Sequence, residues 1–548
     1  MRSGKLPFLV ILMGLPLLVL GLFAASWTQD EGLSLDKTEP PEPSGEISVV
    51  TAGPVPPSLL KAVSMEEAAP LAPVYESLVR LDSRLVPRPS LATAWERSED
   101  GLRWEFSLRE GVMFHDGNPL SARQVVDSYL SYLKPPVSPA WALQLLPLAG
   151  VAQYLEDTFW EAHAISLAEE PDSEADRRLE EALELLLAEA PVEKVDEFTV
   201  RFNLQDPYPA LPSLTAFLPI FGQAEDGAVP PGTGPFRLAG QEEDSVILEA
   251  NLQHWEGPPF LKRLVISSVP HPRERVEAAL SGRADLIQLP PAGQDALMDA
   301  GTHRLHCWTT GTITVAALNS ARPHLSPAVR EALDLAVDRE DLSSRGFRGL
   351  AEPVPAAFDP YRAAEILEMD GWLLSSPGRR LREGKQLKME ITYLDREPLR
   401  QVTSHLAWSW EQMGVSTVPL PAENPAALWS RAVSGEFDVL LMELPAWPDP
   451  VLSSCAVALP GSPFNPGRFT SPEIEALCQK ALAAPDSQVR TQIWERLAGE
   501  LGAARPALKL YRSPVMLGSR DDLIGLKDHP MGLWGLFQEA PALSRDRP

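Results

Sequence analysis

Short runs in which apolar and polar residues alternate are interrupted repeatedly along this chain by segments with helical spacing. Trp104, Phe106 and Leu108 place three apolar side chains on one face of a strand, and Phe198, Val200, Phe202 and Leu204 do the same in EFTVRFNL, because residues two apart share a face. ISVVTAG, from Ile47, reads as a short buried strand, and VYESLVRLD as an apolar segment ending in a charged turn. Between Leu91 and Leu130 the strand carrying Trp104 is followed by turns at Gly111 and Asp116-Gly117, and Ser121 is placed to cap a helix opening at Ala122. The clearest helix lies between Ser173 and Pro191. Ser173 and Asp176 suit a capping box, Leu179, Leu183 and Leu186 share a face, and Pro191 stops it. LKRLVISSV, RERVEAALSG and DLIQL then give strand, helix and strand, the alternation of an α/β layer structure. Further on, SPAVREALDLAVDREDL and DPYRAAEILEMDGW read as helices starting at Ser326 and Asp359, the second stopping at Gly371. No fixed-period repeat runs through the chain. Its 548 residues exceed what one core usually organises, so two or three lobes are expected.

The N-terminus adds a targeting segment. MRSGK precedes an almost wholly apolar run from Leu6 to Ala25, and a Pro- and Glu-rich stretch from Gln29 to Glu46 follows as a solvated tether. The run, about 20 residues, is long enough to span a bilayer, which favours an uncleaved anchor, while Ala24 and Ser26 offer a cleavage site before Trp27. Arg2 and Lys5 keep the N-terminus inside, so the bulk of the chain lies outside the cytoplasm, in the periplasm or on the outer face of the membrane.

Charge and cysteine usage narrow the chemistry. With 75 acidic and 48 basic residues the formal net charge is -27, which speaks against a general role on nucleic acid or anionic lipid. Cys307, Cys455 and Cys478 are far apart, form no CxxC, permit one internal bridge at most, and leave no cysteine after the apolar run for lipid attachment. His303, His306 and Cys307 come close to a ligand cluster but alternate within a strand-like segment, so structural roles are expected for them and no metal or cofactor is. HExxH, G-x-S-x-G and Walker sequences are absent. GRRLREGKQ has one residue too many between Gly378 and Gly384 and Gln386 in place of Ser or Thr, so it reads as a solvated loop. His115-Asp116-Gly117 reads as a turn. An exported hydrolase is therefore weakly supported, and no enzymatic activity is expected. Trp95, Trp104, Trp255 and Trp447 are expected to be buried by default, with Trp447 alone having a positional reason to face a ligand.

The Leu91–Leu130 stretch, together with GTGPFRLAG and NLQHWEGPPFLKRLVI between Gly232 and Ile266, resembles signature regions of family 5 bacterial extracellular solute-binding proteins, the oligopeptide- and dipeptide-binding components of ABC importers. RERVEAALSGRADL, VREALDLAVDREDL, DPYRAAEILEMDGW, FDVLLMELPAWPDP and the segment from Phe469 to Leu501 continue the resemblance in order, so it runs from about Ile47 to about Gly525. It implies an α/β, two-lobed periplasmic-binding-protein-like fold of class II with an extra domain inserted in the first lobe. Lobe I would comprise residues 47–72, 213–308 and 505–548, the inserted domain 73–212 and lobe II 309–504, after an anchor or signal at 1–28 and a tether at 29–46. Thr309 to Thr314 matches a strand crossing between the lobes. The implied function is capture of a peptide or related small solute, by hinge closure, for an ABC permease and ATPase complex, by a chain expected to be monomeric. A membrane-anchored ligand sensor or scaffold that keeps the fold without transport is the alternative. One departure bears on the ligand. Many members carry a Trp and, three residues later, an Asp that binds the peptide's α-amino group. Registered on Asp449-Pro450, these positions are Glu443 and Ala446 here. The segment Glu443, Leu444, Ala446, Trp447 and Asp449 is thus the implied ligand site, for a ligand that lacks the amine or finds another acid, Glu443 or Asp449.

Overall fold

In the computed structural model, ten strands form one continuous sheet. In chain order they are β1 (Glu46–Thr51), β2 (Phe236–Glu242), β3 (Ser245–Ala250), β4 (Arg263–Ser268), β5 (Leu286–Gln288), β6 (His303–Leu318), β7 (Lys388–Leu394), β8 (Ser416–Ala422), β9 (Val439–Leu444) and β10 (Ala507–Arg520). Their spatial order is β2-β3-β4-β1-β5-β10-β6-β9-β7-β8, with Glu352–Pro353 also pairing β10. The structure describes residues 42–545 except 63–64, 134–147, 155–172, 224–228, 291–292, 376–377, 446, 448, 461, 463 and 486. The apolar run at the N-terminus lies outside this range. Among the described residues no helix is long and apolar enough to cross a membrane.

The sheet has two halves. β1 pairs in parallel with β4 and β5, and β7 in parallel with β8 and β9, as crossover connections through helices require. The long antiparallel ribbon of β6 and β10 joins them. β10 pairs with β5 through Leu517 to Ser519, while β6 pairs with β9 from Ile313 to Leu318. Within this ribbon the register shifts between Thr309 and Ile313 and again between Thr314 and Val315. At the first shift Thr310 turns its hydroxyl to Ser513 O at 2.9 Å and Gly311 N bonds Pro530 O at 3.0 Å. The strand-like segment read at His303 to Cys307 and the crossing at Thr309–Thr314 are parts of this one strand, which runs on to Leu318.

A separate sheet is built from Ala92–Arg97, Arg103–Leu108, Thr199–Asn203 and Val192–Lys194. Phe106 and Phe202 meet edge to face across it, with centroids 5.2 Å apart. The caps read from sequence form as expected. Ser326 Oγ accepts from Val329 N, Asp359 Oδ1 from Arg362 N, and Ser121 N donates to the Gln124 side chain. The helix from Ser173 ends at Ala188; the side chains of its capping box lie outside the described residues. The single helix expected over SPAVREALDLAVDREDL is two, Pro327–Leu335 and Arg339–Phe347, because Asp338 caps the second through Asp341 N at 3.0 Å. GRRLREGKQ is not a solvated loop. Arg379–Arg382 and Lys385–Gln386 form a hairpin, and buried Arg380 bonds Met413 O and Trp372 O. A buried guanidinium with carbonyl partners is not visible in a charge-rich sequence.

The two signature stretches meet around Val74 and Glu76. Gly234 N donates to Val74 O at 3.0 Å, and His115 bonds the carbonyls of Gly232 and Gly234, both at 2.9 Å. The Glu76 carboxylate accepts from Thr233 Oγ1 at 2.8 Å and Trp255 Nε1 at 3.0 Å and contacts His254 Nε2 at 3.2 Å. Arg109 stacks over Trp255 at 4.0 Å. Trp255 is thus held by its own fold, and His115-Asp116-Gly117 is a turn whose Gly117 sits at φ +86°.

Candidate ligand-binding site

β9 and the segment after it carry the residues implied by the sequence, and the structure separates them. Leu444 ends β9 opposite Ile313 and is buried. Trp447 is buried too, edge to face with Phe464 at 5.1 Å. Ala446 lies outside the described residues. Asp449, 4% exposed, caps the helix Pro450–Ala456 by accepting from Val451 N at 3.0 Å. Its other oxygen takes the Tyr208 hydroxyl at 2.7 Å and the Arg490 guanidinium, and that guanidinium lies 5.9 Å from the Tyr208 ring. Both carboxylate oxygens of Asp449 are therefore engaged by the protein itself.

Glu443 sits differently. Along the sheet it faces Thr314 of β6, which in turn faces Tyr511 of β10, so the three side chains form a row on one face. Arg396, just past β7, donates to Glu443 Oε2. The same guanidinium reaches Glu66 in the helical turn Met65–Ala68, at 3.8 Å. Glu66 accepts from Gln288 of β5 at 3.1 Å, so it belongs to the first half of the sheet, whereas Arg396 and Glu443 belong to the second. Burial pushes the Glu443 carboxyl up; Arg396 pulls it back and Glu66 raises it again. Glu443 in turn holds the Arg396 guanidinium above its ordinary range. Burial raises the Tyr511 hydroxyl as well.

Arg396, Glu66 and Tyr511 are not picked out in the sequence, and Thr314 only as the end of the crossing segment. Arg396 is 47 positions from Glu443, and only the strand register brings them together. Among the described residues no group of three or more His, Cys, Asp or Glu is arranged to hold a metal ion; His306 bonds Ser519 Oγ at 2.9 Å. A cavity of about 170 Å³ lies elsewhere, beside Glu76, His254 and His529, and it is polar enough to hold water.

A sheet in two halves joined by a long two-stranded ribbon, with charged groups facing across the junction, is the architecture of a two-lobed solute-binding protein. The sequence pattern described as "Bacterial extracellular solute-binding proteins, family 5 Middle" matches residues 86–461, and the chain belongs to this family, whose members capture solutes outside the cytoplasm for ABC importers. It is 24% identical over 430 residues to the nickel-binding periplasmic protein of Escherichia coli (strain K12), covering 73% of this chain and 72% of that one. To the peptide transport periplasmic protein SapA of Salmonella typhimurium it is 25% identical over 513 residues, 84% of this chain and 85% of the relative. The oligopeptide-binding protein AppA of Bacillus subtilis, solved with a nonapeptide, shares the fold with a TM-score of 0.73 at 18% identity, covering 92% of this chain and all of the other.

Proposed function

We propose that this protein captures a peptide or peptide-like solute between its two sheet halves by hinge closure, and binds rather than transforms it. The observation that carries the reading is the Glu66–Arg396–Glu443 chain, which links the first half to the second at 3.8 Å beside the β6–β10 ribbon. Charged groups that meet only when two lobes come together mark the faces between which a ligand is enclosed. In this reading residues 47–72, 213–308 and 505–548 form lobe I, 73–212 an inserted domain and 309–504 lobe II. The relatives that bind peptides support the ligand class. The apolar run from Leu6 to Ala25 supports retention at the outer face of the membrane.

Crosslinking and copurification of the native protein from membranes of its host tests the assignment. An ABC permease and its ATPase are expected to accompany a chain whose N-terminus is intact. A mature start near Trp27 in the soluble fraction would remove the anchor and leave capture standing. An anchored chain that crosslinks to no permease would overturn transport in favour of a ligand sensor or scaffold.

A further inference from the structure

We propose that Arg396 supplies from within the chain the cation that a ligand would otherwise present to Glu443, so that this end of the site selects ligands without a free ammonium group. The inference rests on the capture reading above and deepens it. A carboxylate in a partly dehydrated site needs a positive partner, because an unpaired buried charge is strongly disfavoured. Glu443 already has one in the guanidinium of Arg396.

Two features distinguish this from an ordinary structural ion pair. Arg339 with Asp334 and Arg505 shows what a closed network looks like here: its guanidinium bonds Lys509 O at 2.7 Å and Val337 O at 3.3 Å as well as the acid. Around Arg396 the network is open. Its Nε, shielded from solvent, has no partner. An unbonded buried donor is costly, and a ligand group or ordered water satisfies it. The second feature is position. Arg396 also reaches Glu66 of the opposite half at 3.8 Å, so the guanidinium lies at the junction where the halves meet. A ligand ammonium brought to Glu443 would lie against that guanidinium and be repelled. A ligand that ends in an amide or another neutral acceptor can instead take the free Nε–H.

Calorimetric titration of the wild type with trialanine and with N-acetyl-trialanine is the direct test. The acetylated form is expected to bind the wild type more tightly, by about threefold or more. Arg396→Met removes the cation and keeps an apolar stem, and is expected to favour the free amine by about tenfold or more. A ligand-independent arm uses n-propylammonium chloride, with sodium chloride at equal ionic strength as reference. It should raise the melting temperature of Arg396→Met, leave the wild type unmoved, and have no effect on the double variant Arg396→Met/Glu443→Gln. Arg396→Gln repeats the measurement should the Met variant not fold. A wild type that binds both forms equally or prefers the free peptide overturns the proposal, as does an Arg396 variant indifferent to propylammonium. If neither peptide binds the wild type, the peptide reading fails, while the propylammonium response still decides the role of Arg396.

Discussion

Asp449→Ala is expected to lower the free energy of unfolding by about 3 kcal/mol, because it strips the partner from a charge that stays in the interior. Asp449 is 4% exposed and serves three donors at once: Val451 N, Tyr208 Oη and Arg490. Breaking a buried pair from one side costs about 3 to 5 kcal/mol. The lower end applies here because the Arg490 side chain keeps 17% of its exposure. The helix cap at Pro450–Ala456 is lost as well, worth about 1 kcal/mol by itself, though neighbouring effects do not add in full. Tyr208→Phe removes one hydrogen bond and leaves the ion pair, so a loss of about 1 kcal/mol is expected. Denaturant titration of the two variants checks the order. An Asp449→Ala variant as stable as wild type would show that the triad contributes nothing net. Because both oxygens of Asp449 are engaged by the protein itself, neither substitution should alter the preference between a free and an acetylated peptide, which separates it from Glu443.

Gly232→Ala should destabilise the protein by about 3 kcal/mol, at the severe end for overpacking, since no side chain can yield to make room. A Cβ there would lie 1.9 Å from Val74 O, and one on Gly234 would lie 2.4 Å from Pro73 O. Both obstacles are backbone; Gly234 N ties down Val74 O, and His115 holds the Gly232 and Gly234 carbonyls on the other side of the contact. Gly111→Ala is the comparison. It sits at φ +78° with nothing within 4 Å of its Cβ position, so it carries only the left-handed backbone penalty, about 1 kcal/mol. Equal costs for the two variants, read from melting temperatures, would mean that the contact of the signature stretches is looser than the distances state.

The contrast between Asp449 and Glu443 also shows what the sequence made legible. Strands with one apolar face, such as the one carrying Trp104, Phe106 and Leu108, and caps such as Ser326 and Asp359 rest on local rules and were readable. The order of short motifs carried the family and hence the two-lobed fold. Asp449 was read only through alignment with an amine-binding loop. A local signal was present, since an Asp followed by Pro at the head of a helix is the pattern of an N-cap and first turn, and that is where Asp449 sits. The Arg396–Glu443–Glu66 chain was not legible. It depends on β7, β9, β6 and β10 lying side by side in one register, which no local pattern dictates. Buried Arg380 was missed for a related reason: carbonyl groups from distant segments, not nearby charges, satisfy it.

Small-angle X-ray scattering with and without a peptide shown to bind by calorimetry tests most directly the claim that the two halves close on a ligand. The β6–β10 ribbon, with its pairing interrupted between Thr309 and Ile313, is the joint about which the halves would turn, and closure brings Arg396 to Glu66. The radius of gyration is expected to fall on saturation and to stay constant when a non-binding peptide is added. A radius unchanged at saturating ligand would contradict capture by closure.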